Sequence, residues 1–433
     1  MLFNSIHFLF FLPIVVTIYF LLPNRFRWSF LLGASYYFYM AWQPKYALIM
    51  LLLTFIDYIA GLLIERAETT KGKRLCLGLS LVANLSLLFF FKYYNFLSGE
   101  ANSLLGTLNS GFKFPVLDVL LPLGISFHTF QAMSYTIDVY RGRQKAERHL
   151  GYFALFIAYF PQLVAGPIER SHHLQNQLKI EHRFDYQRGA EGFRLMLWGF
   201  FKKLVIADNL AVLVDLAYNN PVPKNGWFLL LATYCFAFQI LCDFSGYTDI
   251  ARGAAQIMGV NLMENFQRPY FAKSVQEFWQ RWHISLSTWF RDYVYIPICG
   301  TRYPTLRRRL FAVMVVFMLS GIWHGANWTF LVWGALNGIF YLVQTMSSRW
   351  LRNFTLPKWL QVAITFNLIC ITWIFFRANN VHEGFRIFRA ILGTLSNFSR
   401  GAMISSSMWG LPTLYGCIGV IILLTVNLLE RKA

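Results

Sequence analysis

The chain is poor in charge, and poorest in negative charge. Of its 433 residues only 14% are charged, with 20 Asp and Glu against 39 Lys and Arg. A soluble protein of this length needs far more polar surface than that supplies, which excludes a set of soluble domains. Cysteine is also sparse. Cys76, Cys235, Cys242, Cys299, Cys370 and Cys417 are scattered, with no C-x-x-C. That spacing points to neither a metal cluster nor a disulfide framework and suits small apolar fillers. The sequence contains no H-E-x-x-H, Walker A loop or G-x-G-x-x-G fingerprint, and no G-x-S-x-G nucleophile elbow. No internal repeat or low-complexity tract stands out.

What is present is apolar and aromatic: 56% hydrophobic residues, with 43 Phe, 22 Tyr and 14 Trp. Apolar blocks fall near 5–23, 28–42, 46–64, 75–95, 116–139, 150–165, 193–218, 227–250, 310–345, 359–376 and 410–429. A bilayer core takes about 20 helical residues to cross. The 310–345 block is long enough for two short spans with a turn near "HGAN". The expected fold is therefore all-α: a polytopic integral membrane protein with roughly ten or eleven membrane-embedded helices. The opening "MLFNSIHFLFFLPIVVTIYFLLP" lacks a basic leader and a small-residue cleavage site, so it is expected to be a retained first span.

A net charge of +19 could suggest nucleic acid, but the basic residues sit between apolar blocks, as the positive-inside rule requires. Arg66, Lys71, Lys73 and Arg74 follow the third block, and Arg141, Arg143, Lys145 and Arg148 follow the fifth. The 96–115 connection carries only Glu100 and Lys113. Alternation then places 65–74 and 141–148 in the cytoplasm and the N-terminus outside, and Arg431 and Lys432 suggest a cytoplasmic C-terminus. The aromatic clusters at 35–42 and 89–96 fit interfacial belts.

"LPLGISF" (121–127) and "FPQLVAGPI" (160–168) put Pro and Gly inside apolar surroundings. Irregular backbone at membrane depth must be buried in protein or line a cavity, so both are expected to be re-entrant or broken, with a Pro-kinked span as the alternative. Residues 251–309 interleave aromatics with charges and are expected to form amphipathic helices on the cytoplasmic side. One membrane domain is expected over 1–433: N-terminal spans (1–95), spans and re-entrant segments (96–250), amphipathic helices (251–309) and C-terminal spans (310–433).

A titratable side chain at membrane depth is by default a functional candidate. His149, His172, His173 and His182 lie in polar connections and are expected to be solvated. Two histidines differ. His324 sits in "LSGIWHGANW" and His283 in "FWQRWHISLSTWF". A desolvated imidazole stays neutral and suits a general base toward a hydroxyl, although a hydrogen-bonded structural histidine explains either residue about as well. If the segment is helical, Ser320 and Asn327 share the His324 face, and Gly321 and Gly325 permit close approach of a backbone or ligand. In "CDFSGYTDIARG" (242–253), Asp249 can pair with Arg252 at i+3, whereas Asp243 lacks an evident local partner and either orients a histidine or holds a loop.

Several blocks together resemble the membrane-bound O-acyltransferase family, and within it the bacterial alginate O-acetyltransferase-like group. They are "LPLGISFHTFQAMSYTIDVYRG" (121–142), "YFPQLVAGPIER" (159–170), "CDFSGYTDIARGAAQIMG" (242–259), "ENFQRPY" (264–270), "EFWQRWHISLSTWFRDYVYIP" (277–297) and "LSGIWHGANWTFLVWG" (319–334). The resemblance implies a helical ring around a thin central region where two funnels meet. It makes His324 the catalytic histidine and His283 the second polar position, nearer the cytosol. Two departures stand out: Asn337-Gly338 where the family often has His-Gly, and "ICGTR" (298–302) in place of a Gly-Gly turn.

The implied reaction is acyl transfer, with acetyl-CoA as donor and no tightly bound cofactor or metal. His324 promotes attack by the acceptor hydroxyl, and Asn327 or a backbone N–H near Gly325 stabilises the oxyanion. Ser320, Trp323, Asp243 and Ser245 support the site, and Arg281 and Arg291 are candidates for donor phosphates. The implied acceptor is an envelope or secreted polysaccharide, reached directly or through a periplasmic acetyltransferase partner, with the chain in the bacterial inner membrane. Two alternatives remain at this stage: a D-alanyl transferase fed by a carrier-protein thioester for teichoic acids, and a polysaccharide or proton-coupled transporter with His324 and Asp243 as relay.

Overall fold

The computed structural model describes residues 1–108, 111–118, 120–122, 124–164, 166–219, 225–301, 304–350, 356–396 and 410–429. Arg302 of the "ICGTR" turn and the C-terminal Arg431 and Lys432 lie outside them. Among the described residues the fold is helical, with one isolated antiparallel bridge, Phe266 to Trp282.

In chain order the helices begin with α1 (Ile6–Leu21), α2 (Asn24–Met40), α3 (Lys45–Arg66), α4 (Thr70–Thr107) and α5 (Ile125–Tyr140). Next come α6 (Leu150–Ala158), α7 (Phe160–Leu163), α8 (Ser171–Lys179), α9 (Tyr186–Phe200), α10 (Asp208–Tyr218) and α11 (Gly226–Ile257). The short α12 (Val275–Arg281), α13 (Ile284–Phe290) and α14 (Ile296–Cys299) precede α15 (Leu306–His324), α16 (Trp328–Trp350), α17 (Lys358–Arg377), α18 (Val381–Ser396) and α19 (Leu411–Leu429). Two π-helical stretches, Phe201–Ala207 and Arg291–Tyr295, interrupt the α pattern. Among the described residues six helices are long and apolar enough to cross a membrane: α3, α4, α11, α16 (over Trp328–Ser347), α17 and α19. The other apolar segments are shorter or interrupted, except α15, which is 19 residues long and opens on Arg307, Arg308 and Arg309.

The described chain packs as two compact units, Met1–Leu197 with Thr248–Met263, and Trp198–Tyr247 with Glu264–Ala433. In the first, α3, α4 and α5 are tied by polar groups in an apolar setting. Asp57 is fully buried and accepts from Ser80 Oγ (2.6 Å) and Asn84 Nδ2 (2.9 Å), and Ser80 also reaches Thr136 Oγ1 (3.3 Å). Where lipid offers no hydrogen bonds, such groups have to find each other.

Two segment boundaries differ from the sequence reading, for one reason. α4 runs on to Thr107 through half of the expected 96–115 connection, and α5 starts only at Ile125, so the beginning of the 116–139 block is not helical. Asn95 and Asn102, two turns apart, each pair through both amide atoms with extended backbone, at Leu117 and at Phe114. These side chains satisfy backbone groups that would otherwise have had to form a helix of their own.

The segment "FPQLVAGPI" is broken. α6 ends at Ala158, Tyr159 leaves the helical region (φ −51°, ψ 111°), and the single turn of α7 follows. Residues 153–163 are buried throughout, as irregular backbone at membrane depth requires. The 310–345 block is two helices, α15 and α16, joined through Gly325–Asn327. Residues 275–299 form the short helices α12, α13 and α14, with the second π-helical stretch between α13 and α14, while 251–257 belong to the long α11.

Replacing Asp57 by Ala leaves the Ser80 and Asn84 donors buried without their acceptor, and is expected to cost about 1–3 kcal/mol. The Asp57→Ala variant should show a lowered melting temperature in detergent, and an unchanged one would contradict this role.

Candidate active site

The second unit holds both candidate histidines. α15 and α16 approach closely because glycines line their contact: a Cβ on Gly321 would strike Phe330 O, and one on Gly334 would lie 2.5 Å from Phe317 O. Gly321 thus serves backbone approach rather than opening room for a ligand. The close packing sets the last residue of α15, His324, edge-on to Trp333 of α16 (ring centroids 5.0 Å, 84°). Trp323 (5.0 Å) and Phe376 of α17 (5.2 Å) supply two more walls. His324 is half-buried, so the pocket leaves it reachable.

One expectation is corrected here. Gly325 is extended (φ −173°, ψ 160°) and ends α15, so Asn327 does not share a helical face with His324. Its Oδ1 accepts from the backbone N–H of Thr329 (3.0 Å), at the start of α16, and its Nδ2 donates to Asn379 O (2.9 Å). Asn327 caps the helix that carries Trp333. Ser320 lies one turn before His324 and is buried.

His283 links α12 to α13 in a left-handed conformation (φ 45°) and is 2% exposed. Non-glycine residues seldom adopt this region, and where they do it marks a constrained site. The constraint comes from Asn265, which the sequence reading gave no role. The backbone N–H of Ser285 donates to Asn265 Oδ1 (3.0 Å), as does Ser285 Oγ (3.0 Å). Those donors fix which way the carboxamide faces. Asn265 Oδ1 also lies 3.2 Å from His283 Nδ1, so Nδ1 carries the proton and the basic lone pair sits on Nε2. Burial pushes the imidazole down to about 3 from its usual value, because the charged form is desolvated. His283 is a neutral base with its tautomer set.

Trp323 stands between the two imidazoles, 6.2 Å from His283 by ring centroids and 5.0 Å from His324. Phe244 packs edge-on to His283 at 4.7 Å. The "CDFSGYTD" stretch therefore meets the histidine through its phenylalanine. Asp243 instead pairs with Lys203 (2.5 Å), which also holds Asp208 (2.8 Å). Lys202 donates to Ser245 Oγ (3.1 Å). These contacts anchor the π-helical stretch of residues 201–207, so Asp243 and Ser245 brace the fold around the site. Arg281 is paired with Glu277 (2.5 Å), and Arg291 with Asp292 (2.8 Å). Asn337, where a third imidazole was in question, is fully buried and donates to Trp333 O (2.8 Å).

Of the polar-connection histidines, His149, His172 and His173 are exposed, as expected, and His182 is half-buried. His173 Nδ1 meets Glu169 at 2.7 Å, which raises its pKa, and His149 Nδ1 accepts from the Tyr152 N–H. His182 Nε2 donates to Gln177 O (2.8 Å). Among the described residues no cluster of three or more His, Cys, Asp or Glu could hold a metal ion.

An all-helical multi-pass membrane protein that fixes one neutral imidazole beside a second, reachable one has the makings of a group-transfer enzyme working within the bilayer. The chain belongs to the membrane-bound O-acyltransferase family, whose model matches residues 82–381. It is 39% identical to the probable alginate O-acetylase AlgI of Azotobacter vinelandii, over 97% of this chain and 84% of that protein. It is 34% identical to the peptidoglycan O-acetyltransferase of Helicobacter pylori (98% and 88%) and 28% identical to the teichoic acid D-alanyltransferase of Bacillus subtilis (75% and 83%). Membership in an acyltransferase family sets aside the transporter alternative.

The site's pH behaviour follows from His283. Unfolded, its imidazole titrates near 6.5; folded, it is depressed to about 3. Between those values the unfolded chain binds the extra proton, so stability rises with pH. It is lost as pH falls below the unfolded value. The detergent-purified protein should melt several degrees lower at pH 4.5 than at pH 7. His283→Asn, which tolerates the left-handed backbone, should flatten that slope; equal slopes would contradict it.

Proposed function

We propose that this enzyme moves an acetyl group from cytosolic acetyl-CoA toward a hydroxyl of an exported polysaccharide. The observation that carries the reading is the pair of imidazoles sharing Trp323, one reachable and one with its basic nitrogen set. Acetyl is favoured over D-alanyl because the relatives named for O-acetylation are the more similar.

In this reading His324 takes the proton of the acceptor hydroxyl as its oxygen attacks the thioester carbonyl carbon. The tetrahedral intermediate collapses, the C–S bond breaks, and the thiolate takes the proton back from the imidazolium. The products are the acetyl ester and the free CoA thiol. Aromatic walls exclude water, which would otherwise compete for the acyl group. A backbone N–H near Gly325 is the proposed oxyanion donor, since Asn327 is engaged in capping. His283 faces the donor side and positions the thioester through Nε2. Arg291 can trade Asp292 for a donor phosphate, because an exposed ion pair is worth only ~0–1 kcal/mol.

The reading further places the chain in a bacterial inner membrane with its N-terminus outside and its C-terminus cytoplasmic. The basic 65–74 and 141–148 connections support that orientation. The polysaccharide hydroxyl is reached directly or through a periplasmic acetyltransferase that would carry the acetyl group onward.

The test is purified protein in nanodiscs with isotope-labelled acetyl-CoA and an acceptor oligosaccharide. His324→Ala should slow transfer by about 10²–10⁴-fold, the usual worth of a general base, while the protein still elutes as a folded species. Transfer at the wild-type rate would refute the assignment. D-alanyl transfer from a carrier-protein thioester, without acetyl transfer, would favour the D-alanyl reading.

A further inference from the structure

The first unit buries more polar atoms at its broken segment than its neighbours satisfy. Both ring nitrogens of His128, Thr129 Oγ1 and Gln162 Oε1 have no hydrogen-bond partner among the described residues. Their side chains are at most 5% exposed. Leaving one such group dry is costly, and native proteins seldom leave several together. Gln131 and Gln162 both donate to Phe156 O, which holds the first turns of α5 against the α6–α7 break.

A cavity opens beside His128, which alone among His128, Thr129 and Gln162 lines it. It is lined by His128 together with Tyr39, Tyr46, Met50, Gly124 and Leu163, within a wider recess of ≈ 270 Å³ that includes open solvent. Only ≈ 10 Å³ of that admits the centre of a water-sized molecule, about the room one water needs. Gly124 keeps the cavity in shape: its φ of 74° suits glycine, and a Cβ there would strike Leu163 O.

We propose that this cavity is a binding site for one neutral hydroxylic molecule of water size, held by His128. The size excludes an acyl chain or a sugar ring. The lining is apolar apart from the imidazole and two phenols, which offers no counter-charge for an ion. A neutral imidazole presents one donor and one acceptor, and a hydroxyl can answer either. Water is the occupant that fits, and it lets irregular backbone persist at membrane depth, where such backbone must be buried or line a hydrated cavity. The site lies in the first unit and does not depend on the acyl-transfer reading.

The experiment is a high-resolution electron cryomicroscopy map of the full chain in lipid nanodiscs, with melting curves of His128→Phe and His128→Gln. The proposal expects density about 2.7–3.2 Å from a His128 ring nitrogen. It expects His128→Phe to melt below the wild type, because the ring displaces the water and removes the hydrogen bonds it makes to the cavity wall. His128→Gln, which can keep the hydrogen bond, should melt closer to the wild type. An empty cavity in the wild-type map would overturn the proposal. So would His128→Phe melting at or above the wild-type temperature, since a dry site gains from losing an orphaned imidazole. If His128→Phe does not fold, the wild-type map and His128→Gln decide.

Discussion

The close approach of α15 and α16 is the constraint on which the site depends. Two helices can come this near only where side chains vanish from the contact, and Gly321 and Gly334 face each other's helix with Cα atoms in reach of the other's missing Cβ. Small residues at such contacts let packing stand in for the hydrophobic effect, which does little between helices in lipid. The consequence is local and chemical. α15 ends at His324, α16 begins four residues later, and Trp333 packs edge-on to the imidazole. Without that contact the histidine would lose its Trp333 wall and keep only Trp323 and Phe376.

His283 shows the same logic by other means. No glycine positions it. A carboxamide does, through an acceptor shared by a backbone N–H, a hydroxyl and the ring. The left-handed backbone at His283 is held by those bonds together with the Ile284 N–H to Asn265 O bond (3.0 Å). Trp323 then joins the two arrangements, its ring in edge-on contact with both imidazoles. A burial that would be a liability for a charged base favours a neutral one with its lone pair on a chosen nitrogen.

Much of this was legible in the sequence, and the parts that were not have a common cause. His324 and His283 declared themselves because imidazoles are scarce in apolar and aromatic runs, and the paired helices of 310–345 followed from length alone. Partners supplied by other elements did not declare themselves. Asn265, Trp333 and Phe376 reach the histidines from separate helices or loops, and neither periodicity nor local spacing encodes such contacts. Asn327 misled for a related reason: helical spacing placed it beside His324, but Gly325 ends the helix between them. Asp243 had no partner within its own turn because Lys203 lies 40 residues away. His128 carried the same signal, an imidazole within the apolar 116–139 block, but only the fold shows its cavity and its lack of a partner among the described residues.

The central claim is that helix approach, and not His324 alone, makes the site. The most direct measurement is the single-turnover rate of acyl transfer in Gly321→Leu, compared with wild type in the same nanodiscs, with acetyl-CoA binding measured alongside. The account predicts a folded, helical protein that still binds acetyl-CoA but transfers at least about tenfold more slowly, since small misplacements at a catalytic centre carry penalties of that order and beyond. A Gly321→Leu protein that transfers at the wild-type rate would contradict it.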